Sequence, residues 1–183
     1  TRCNIALPPL DAPEGWVTEW HTDQGPWLAS LSAAVEQGLL LVIDYGLEAS
    51  RYYNSRRTDG TLQCFQSQRA LNAPLQDPGR QDLTAHLCLD TLHDAASSAG
   101  WTMLDARRQG EALLALGLAQ RLHGLQYLAP DQLAEGLRRR EALLRLVDPA
   151  GLGDFRWLLY SRGVDPERFS FVVPPDSERS RPG

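Results

Sequence analysis

The sequence predicts an α/β fold, and three observations predict it. The run Leu39-Leu40-Leu41-Val42-Ile43 is uniformly apolar and short, which suits a central strand buried on both faces. It ends in Asp44-Tyr45-Gly46, polar residues at the carboxyl end of a strand, where open α/β sheets place their ligand chemistry. Downstream, Asp90 to Ala99 reads as a helix capped by Gly100, and Trp101 to Ala106 reads as a strand. That helix-to-strand order is the alternation of a parallel sheet.

The remaining elements follow in order. Residues 1–16, with Pro8-Pro9, Pro13 and Gly15, read as irregular, with at most a short strand from Asn4 to Leu7. Glu19 to Gly38 reads as a helix: Pro26 falls near its first turn, Trp27, Leu28, Leu31, Ala34 and Val35 recur at helical spacing, and Gly38 stops it. From Tyr45 to about Leu83 no periodicity persists, and only Thr61 to Phe65 offers a short strand, so a long binding loop is expected. Glu111 to Leu122 is apolar almost all round and predicts a buried helix; a second helix runs from Pro130 to Leu146. Phe155 to Tyr160 is a strong strand and Phe169 to Val173 a weaker one, before the polar, Pro-rich stretch 174–183, expected to be a disordered tail. By size the chain is one domain, over residues 1–173.

Composition narrows the function classes. The net charge of −5 argues against a nucleic-acid partner, which calls for a basic excess. All 18 basic residues are arginine, which excludes Schiff-base chemistry and a P-loop lysine. Cys3, Cys64 and Cys88 are widely spaced, so neither a zinc site nor a disulfide framework is expected, and a reducing, cytoplasmic compartment is the default. No apolar run approaches the roughly 18 residues needed to span a bilayer. The chain begins at Thr1, and a fragment of a longer protein is the expectation.

Several constellations carry chemistry. Asp44-Tyr45-Gly46 offers a carboxylate and a phenol at a strand end, read as a substrate-positioning acid or as a cap on the next turn. Asp82, Thr84 and His86 alternate along an extended stretch, which would set a carboxylate, a hydroxyl and an imidazole on one face. A helix cap with a structural histidine is the equal alternative. Glu19-Trp20-His21 opens the first helix and either favours its dipole or lines a pocket for a cation. Tyr52-Tyr53 and Arg56-Arg57 read chiefly as a solvated loop that could meet an acidic partner; Arg138-Arg139-Arg140 reads as a solvated helix face. Gly151-Leu152-Gly153, between a helix and a strand, is a turn rather than a dinucleotide fingerprint.

The blocks Glu19…Pro26-Trp27-Leu28, Leu41-Val42-Ile43-Asp44-Tyr45-Gly46, Tyr52-Tyr53, Gly60-Thr61-Leu62, Pro78-Gly79…Asp82-Leu83-Thr84-Ala85-His86 and Gln109 together resemble the C-terminal half of the MidA family. Those are class I S-adenosylmethionine-dependent methyltransferases and include the mitochondrial complex I assembly factor, a protein arginine methyltransferase. The resemblance runs from about Val17 to Tyr160. It implies a Rossmann-like sheet in which Leu39–Ile43 is the fifth strand and Trp101–Ala106 and Phe155–Tyr160 the final pair. It implies S-adenosylmethionine as cofactor, although the family's glycine-rich loop has no counterpart in this chain. Where the family has a histidine this chain has Gln68, and where it reads His-Val-Asp-Phe this chain reads His86-Leu87-Cys88-Leu89.

The resemblance further implies a protein substrate, such as a subunit of a respiratory complex, and a homodimer as one option. Asp44, Glu19, Asp82 and His86 become the catalytic candidates, with Tyr45, Gly46, Tyr53, Thr84 and Gln109 as substrate contacts. A guanidinium is a poor nucleophile because it stays protonated, and carboxylates that grip it in bidentate fashion localise its charge. The alternative is a non-catalytic interaction module whose Tyr/Arg-rich loop binds a protein.

Overall fold

The computed structural model describes residues 7–67, 69–71 and 73–165. It forms two compact units: the described residues up to Gln37 with Asp44–Thr102, and Gly38–Ile43 with the described residues from Met103 onward. The expected strand Phe169 to Val173, the tail, Cys3 and Gln68 lie outside the described residues.

In the first unit, α1 covers Gln24–Ala34 rather than the whole of Glu19 to Gly38. Pro26 does fall in its first turn, but Gly38 opens the next strand instead of ending the helix. The stretch expected to be a long loop is structured. It contains β2 (Gly46–Leu47), α2 (Ala49–Tyr52), β3 (Gln63–Gln66), β4 (Arg69–Leu71) and β5 (Asp82–Thr84). Strands this short lie below the length at which a period of two becomes readable, and they exist because they pair. β3 is the centre of an antiparallel sheet with β4 and β5 on its flanks. β2 pairs in parallel with β6 (Leu87–Cys88), matching Gly46 to Leu87 and Leu47 to Cys88.

α3 (Leu89–Ser98) follows β6 directly and ends, as expected, at Gly100, whose φ of +82° suits glycine best. Its Asp90 carboxylate accepts the Ala49 N–H at 2.6 Å, and Thr91 Oγ1 donates to Gln24 on α1 at 2.9 Å. Ser32 of α1 donates to the Ala99 carbonyl at 2.8 Å and accepts the Trp101 indole N–H at 2.9 Å. Ala49, Tyr52, Tyr53 and Cys88 form one buried cluster, with Trp16 and Leu47 packed against it. An aspartate in place of Cys88 would put a carboxylate among these rings, whereas the cysteine that this chain carries suits the apolar setting.

The second unit holds a three-stranded sheet in which β8 (Arg156–Arg162) lies between β1 (Gly38–Asp44) and β7 (Thr102–Arg108). The three strands are those the sequence marks out, but the buried one is β8, with Leu158, Leu159, Tyr160 and Ser161 in the core. β1, expected to be buried on both faces, is an edge of this sheet. Leu39, Leu41 and Ile43 alternate outward and each stays more than two-fifths exposed.

The helix expected over Glu111 to Leu122 is two, α4 (Gln109–Ala115) and α5 (Leu118–Gly124), broken at Gly117 with φ of +93°. Ala112 and Leu118 are buried, whereas Leu114 and Leu116 are exposed. α6 (Leu133–Val147) starts after a 3-10 turn at Pro130–Gln132, and Gly151 to Gly153 is a turn as read. Arg138 and Arg139 both pair with Glu135 on the same exposed helix face, which bears out the solvated reading.

Because β8 carries the buried centre of its sheet, Leu158→Ala is expected to destabilise the protein by about 2–4 kcal/mol. Leu41→Ala on the exposed edge should cost well under half as much. Urea denaturation of the two variants measures the ratio, and equal losses would contradict the strand order.

Candidate functional site

The first unit brings most of the predicted site residues together, and Glu19 is the hub. Val17 meets the segment before Gly60 at one point: its N–H donates to the Thr58 carbonyl at 2.8 Å, and it bridges Asp59 in parallel. That register sets the Glu19 carboxylate opposite the turn Gly60-Thr61-Leu62. It accepts the Thr61 N–H at 2.8 and 2.9 Å, the Leu62 N–H at 2.8 Å, the Thr61 hydroxyl at 3.0 Å and the Tyr52 hydroxyl at 3.1 Å. Successive backbone N–H groups aimed at one anion make a nest. Gly60 has φ of +69°, and a Cβ there would collide with the Glu19 carboxylate.

Burial pushes the Glu19 pKa upward, but the bonds from Thr61, Leu62 and Tyr52 outweigh it and leave the group below the usual carboxylate range. Glu19 precedes α1, so the expectation that it opens that helix is corrected. Its charge is met by backbone N–H groups of a turn distant in sequence, not by a helix dipole.

The same cluster clamps His86. Its N–H donates to Thr61 Oγ1 at 3.0 Å, and its carbonyl lies 3.0 Å from His21 Nε2. A carbonyl only accepts, so His21 Nε2 carries the proton. The same nitrogen is 3.1 Å from the Tyr52 hydroxyl. Burial, together with the neighbouring Glu19 charge, pushes the Tyr52 phenol well above its ordinary range, so Tyr52 remains a donor. With its backbone held on both sides, His86 sets its ring edge-on to Tyr45, centroids 5.6 Å apart. The Leu87 N–H donates to the Tyr45 carbonyl at 2.8 Å, which locks the two segments in register.

Asp44 closes β1 half-buried, and its Oδ1 accepts the Tyr45 N–H at 2.7 Å. Oδ2 keeps its acceptor capacity. Asp44, Tyr45, Gly46 and His86 therefore form one group. The expected convergence of Asp82, Thr84 and His86 is not what the chain builds. β5 ends at Thr84, Asp82 and Thr84 are exposed on the outer strand of their sheet, and His86 has left the strand for Thr61. Tyr53 is core, 4% exposed, with its ring 4.9 Å from Tyr52 and 6.2 Å from the exposed Trp20.

Gln109 belongs to the second unit and is spent on packing. Its amide donates to the Leu146 and Leu152 carbonyls, each at 2.9 Å, and accepts the Trp157 indole at 3.1 Å. Among the described residues no three His, Cys, Asp or Glu side chains are grouped to hold a metal. Two clefts of the first unit stand out. One of about 470 Å³ is lined by Asp59, Leu62 and Cys64 with Ala70, Leu71 and Pro74 across β3 and β4, and one of about 400 Å³ by arginines. Neither is lined by Asp44, Tyr45 or His86.

The fold is α/β and Rossmann-like, and the comparisons agree with it. A family model described as "Putative S-adenosyl-L-methionine-dependent methyltransferase" matches residues 1–106, more than half of the chain. The chain belongs to that family. It is also similar to two crystal structures from Burkholderia thailandensis, each with a TM-score of 0.76 and 33% identity over 85% of this chain. One is a COG1565 superfamily protein; the other is a COG1565 superfamily member and "likely methyl transferase" bound to S-adenosyl-homocysteine. The chain spans about two-fifths of the length of these relatives, 41% and 40%. No curated protein matches it.

Sequence reasoning missed Tyr52, Thr61 and His21 as a connected set. The signal was present in part, since Gly60-Thr61 and the tyrosine pair stand out, but the bonds join residues 19, 21, 52, 61 and 86, which no local pattern links. Glu19→Ala leaves the Thr61 and Leu62 N–H groups unmet and is expected to cost on the order of 2–4 kcal/mol by thermal or urea unfolding. Gly60→Ala should cost about 1–3 kcal/mol. A lowered folded-state pKa stabilises above the ordinary carboxylate value of about 4.3 and is lost as pH falls through the folded value. The stability gap between the parent and Glu19→Gln should therefore narrow on acidification below about pH 4. A gap that widens there would contradict the cradle.

Proposed function

We propose that this chain supplies the acceptor side of a S-adenosylmethionine-dependent methyltransferase of MidA type whose acceptor is a protein arginine. The observation that carries this reading is Asp44, half-buried at a strand end, with one oxygen fixed by the N–H of Tyr45, the residue whose ring meets His86 edge-on. A carboxylate held in that way can accept two N–H groups of a guanidinium, and the adjoining rings can flank its flat faces. The S-adenosyl-homocysteine bound to the relative supports the reaction class.

The roles divide by geometry. Asp44 grips and aims the acceptor, Tyr45 and Gly46 shape its entry, and the His86 ring takes the proton that the acceptor nitrogen releases. Glu19 acts through Thr61 as a positioning residue, since its own oxygens are already occupied. Asp82 and Thr84, exposed on β5, would meet a more distant part of the substrate chain. Proximity and orientation of the acceptor are worth several kcal/mol of such a barrier, up to about 7–11.

The described residues do not fit the cofactor itself. No glycine-rich turn follows a described strand. The one Gly-x-Gly, at 151–153, follows α6, and its second glycine packs against the Val147 backbone. The cofactor, which donates the methyl group when bound, is held by none of the side chains discussed above.

Asp44→Asn in the whole methyltransferase is expected to lower methylation of an arginine-containing protein by at least a hundredfold with the unfolding midpoint unchanged. Retained activity would refute the assignment. Calorimetric titration of S-adenosylmethionine into the 183-residue chain is expected to give no saturable heat. Micromolar binding would place the cofactor pocket within these residues.

A further inference from the structure

After α2 the chain turns sharply through residues 54–57, and the turn is held from three directions. Asn54 Oδ1 accepts the Arg56 N–H at 2.9 Å, the Asn54 carbonyl accepts the Arg57 N–H at 2.9 Å, and the same carbonyl accepts the Trp16 indole N–H at 3.1 Å. On this fixed backbone Arg51, Asn54, Arg56 and Arg57 line a cleft of about 400 Å³. In a chain of net charge −5, three guanidinium groups on one short segment are a local reversal of sign.

None of the three is ion-paired to a described carboxylate, whereas Arg138, Arg139 and Arg145 on α6 pair with Glu135 and Glu141 of their own helix. Two carboxylates bonded to this stretch take hydroxyl donors: Asp11 accepts the Ser55 hydroxyl at 2.7 Å, and Asp59 accepts the Thr58 hydroxyl at 3.1 Å. Arg57 Nε is buried and has no acceptor among the described residues. A guanidinium cannot lose its proton to escape that position, and a buried donor left unmet is destabilising. An anion in the cleft would compensate the charge of this guanidinium.

We propose that this cleft binds a phosphate-type oxyanion. Forked guanidinium groups match the oxygens of a phosphate geometrically. A dianion with three terminal oxygens can serve several of them together. The residues that line it, three arginines and an asparagine, offer hydrogen-bond donors to such an anion. The ligand has two sources with the same chemistry, free phosphate or a phosphorylated side chain on a polypeptide. The site does not depend on methyl transfer.

The test is calorimetric titration of the full chain, in chloride buffer, with inorganic phosphate, with a phosphoserine peptide and with the same peptide unphosphorylated. Saturable binding of phosphate or of the phosphopeptide, weakening as salt rises, is expected. Arg57→Gln and Arg51→Gln should each weaken it about tenfold, as loss of a charge-assisted bond implies. Arg139→Gln on α6 should leave it unchanged. Tighter binding of the phosphopeptide than of free phosphate identifies a polypeptide source; the reverse identifies the free ion. Circular dichroism checks folding, and Arg56→Gln, at an exposed position, replaces Arg57→Gln if the latter unfolds. Absence of saturable binding, or binding unaltered by these cleft variants, overturns the proposal.

Discussion

The seating of the Glu19 carboxylate on the turn Gly60-Thr61-Leu62 is the constraint on which the rest of the candidate site depends. A carboxylate removed from water is costly unless its lone pairs are met, and here two backbone N–H groups and two hydroxyls meet them. The consequence extends past Glu19. Thr61 can give its hydroxyl hydrogen to Glu19 and still accept the His86 N–H, so one buried charge orients a second residue through a shared hydroxyl. Tyr52 and His21 complete the clamp from the carbonyl side of His86. Gly60 is required because any side chain would enter the space that the carboxylate occupies.

Division of labour between the two units follows from the same logic. The first unit concentrates the polar, hydrogen-bonded residues, in segments too short to be stable strands alone and fixed by pairing, by Asp90 at the start of α2 and by the aromatic cluster around Tyr52. The second is built on β8, whose buried run Leu158 to Ser161 is flanked by strands on both sides. Gln109 shows how a polar residue that looks functional in sequence can be structural: buried at the start of α4, it answers two carbonyls and an indole at once.

The candidate site was legible in the sequence in proportion to how local its signals were. Asp44-Tyr45-Gly46 stands out because a long apolar run ends there, and the structure does place it at a strand end beside His86. The alternation of Asp82, Thr84 and His86 misled, because period-two reasoning holds only while the strand lasts, and β5 ends at Thr84. Glu19 was recognised as a candidate, yet its role was invisible, since its partners lie some thirty to forty positions away in sequence and the Val17–Asp59 bridge beside it is a long-range contact.

By itself the sequence determined the α/β class, the three longest strands, α3 with its glycine stop, and the resemblance that led to the methyltransferase family. Each of these rests on runs long enough for periodicity or on residues contiguous in the chain. Tertiary structure decided which strand is buried, since burial depends on neighbours and β1 has one where β8 has two. It also decided where the charges go. A carboxylate is stabilised by whichever donors the fold brings to it, and for Glu19 those donors come from a turn that only long-range pairing could deliver.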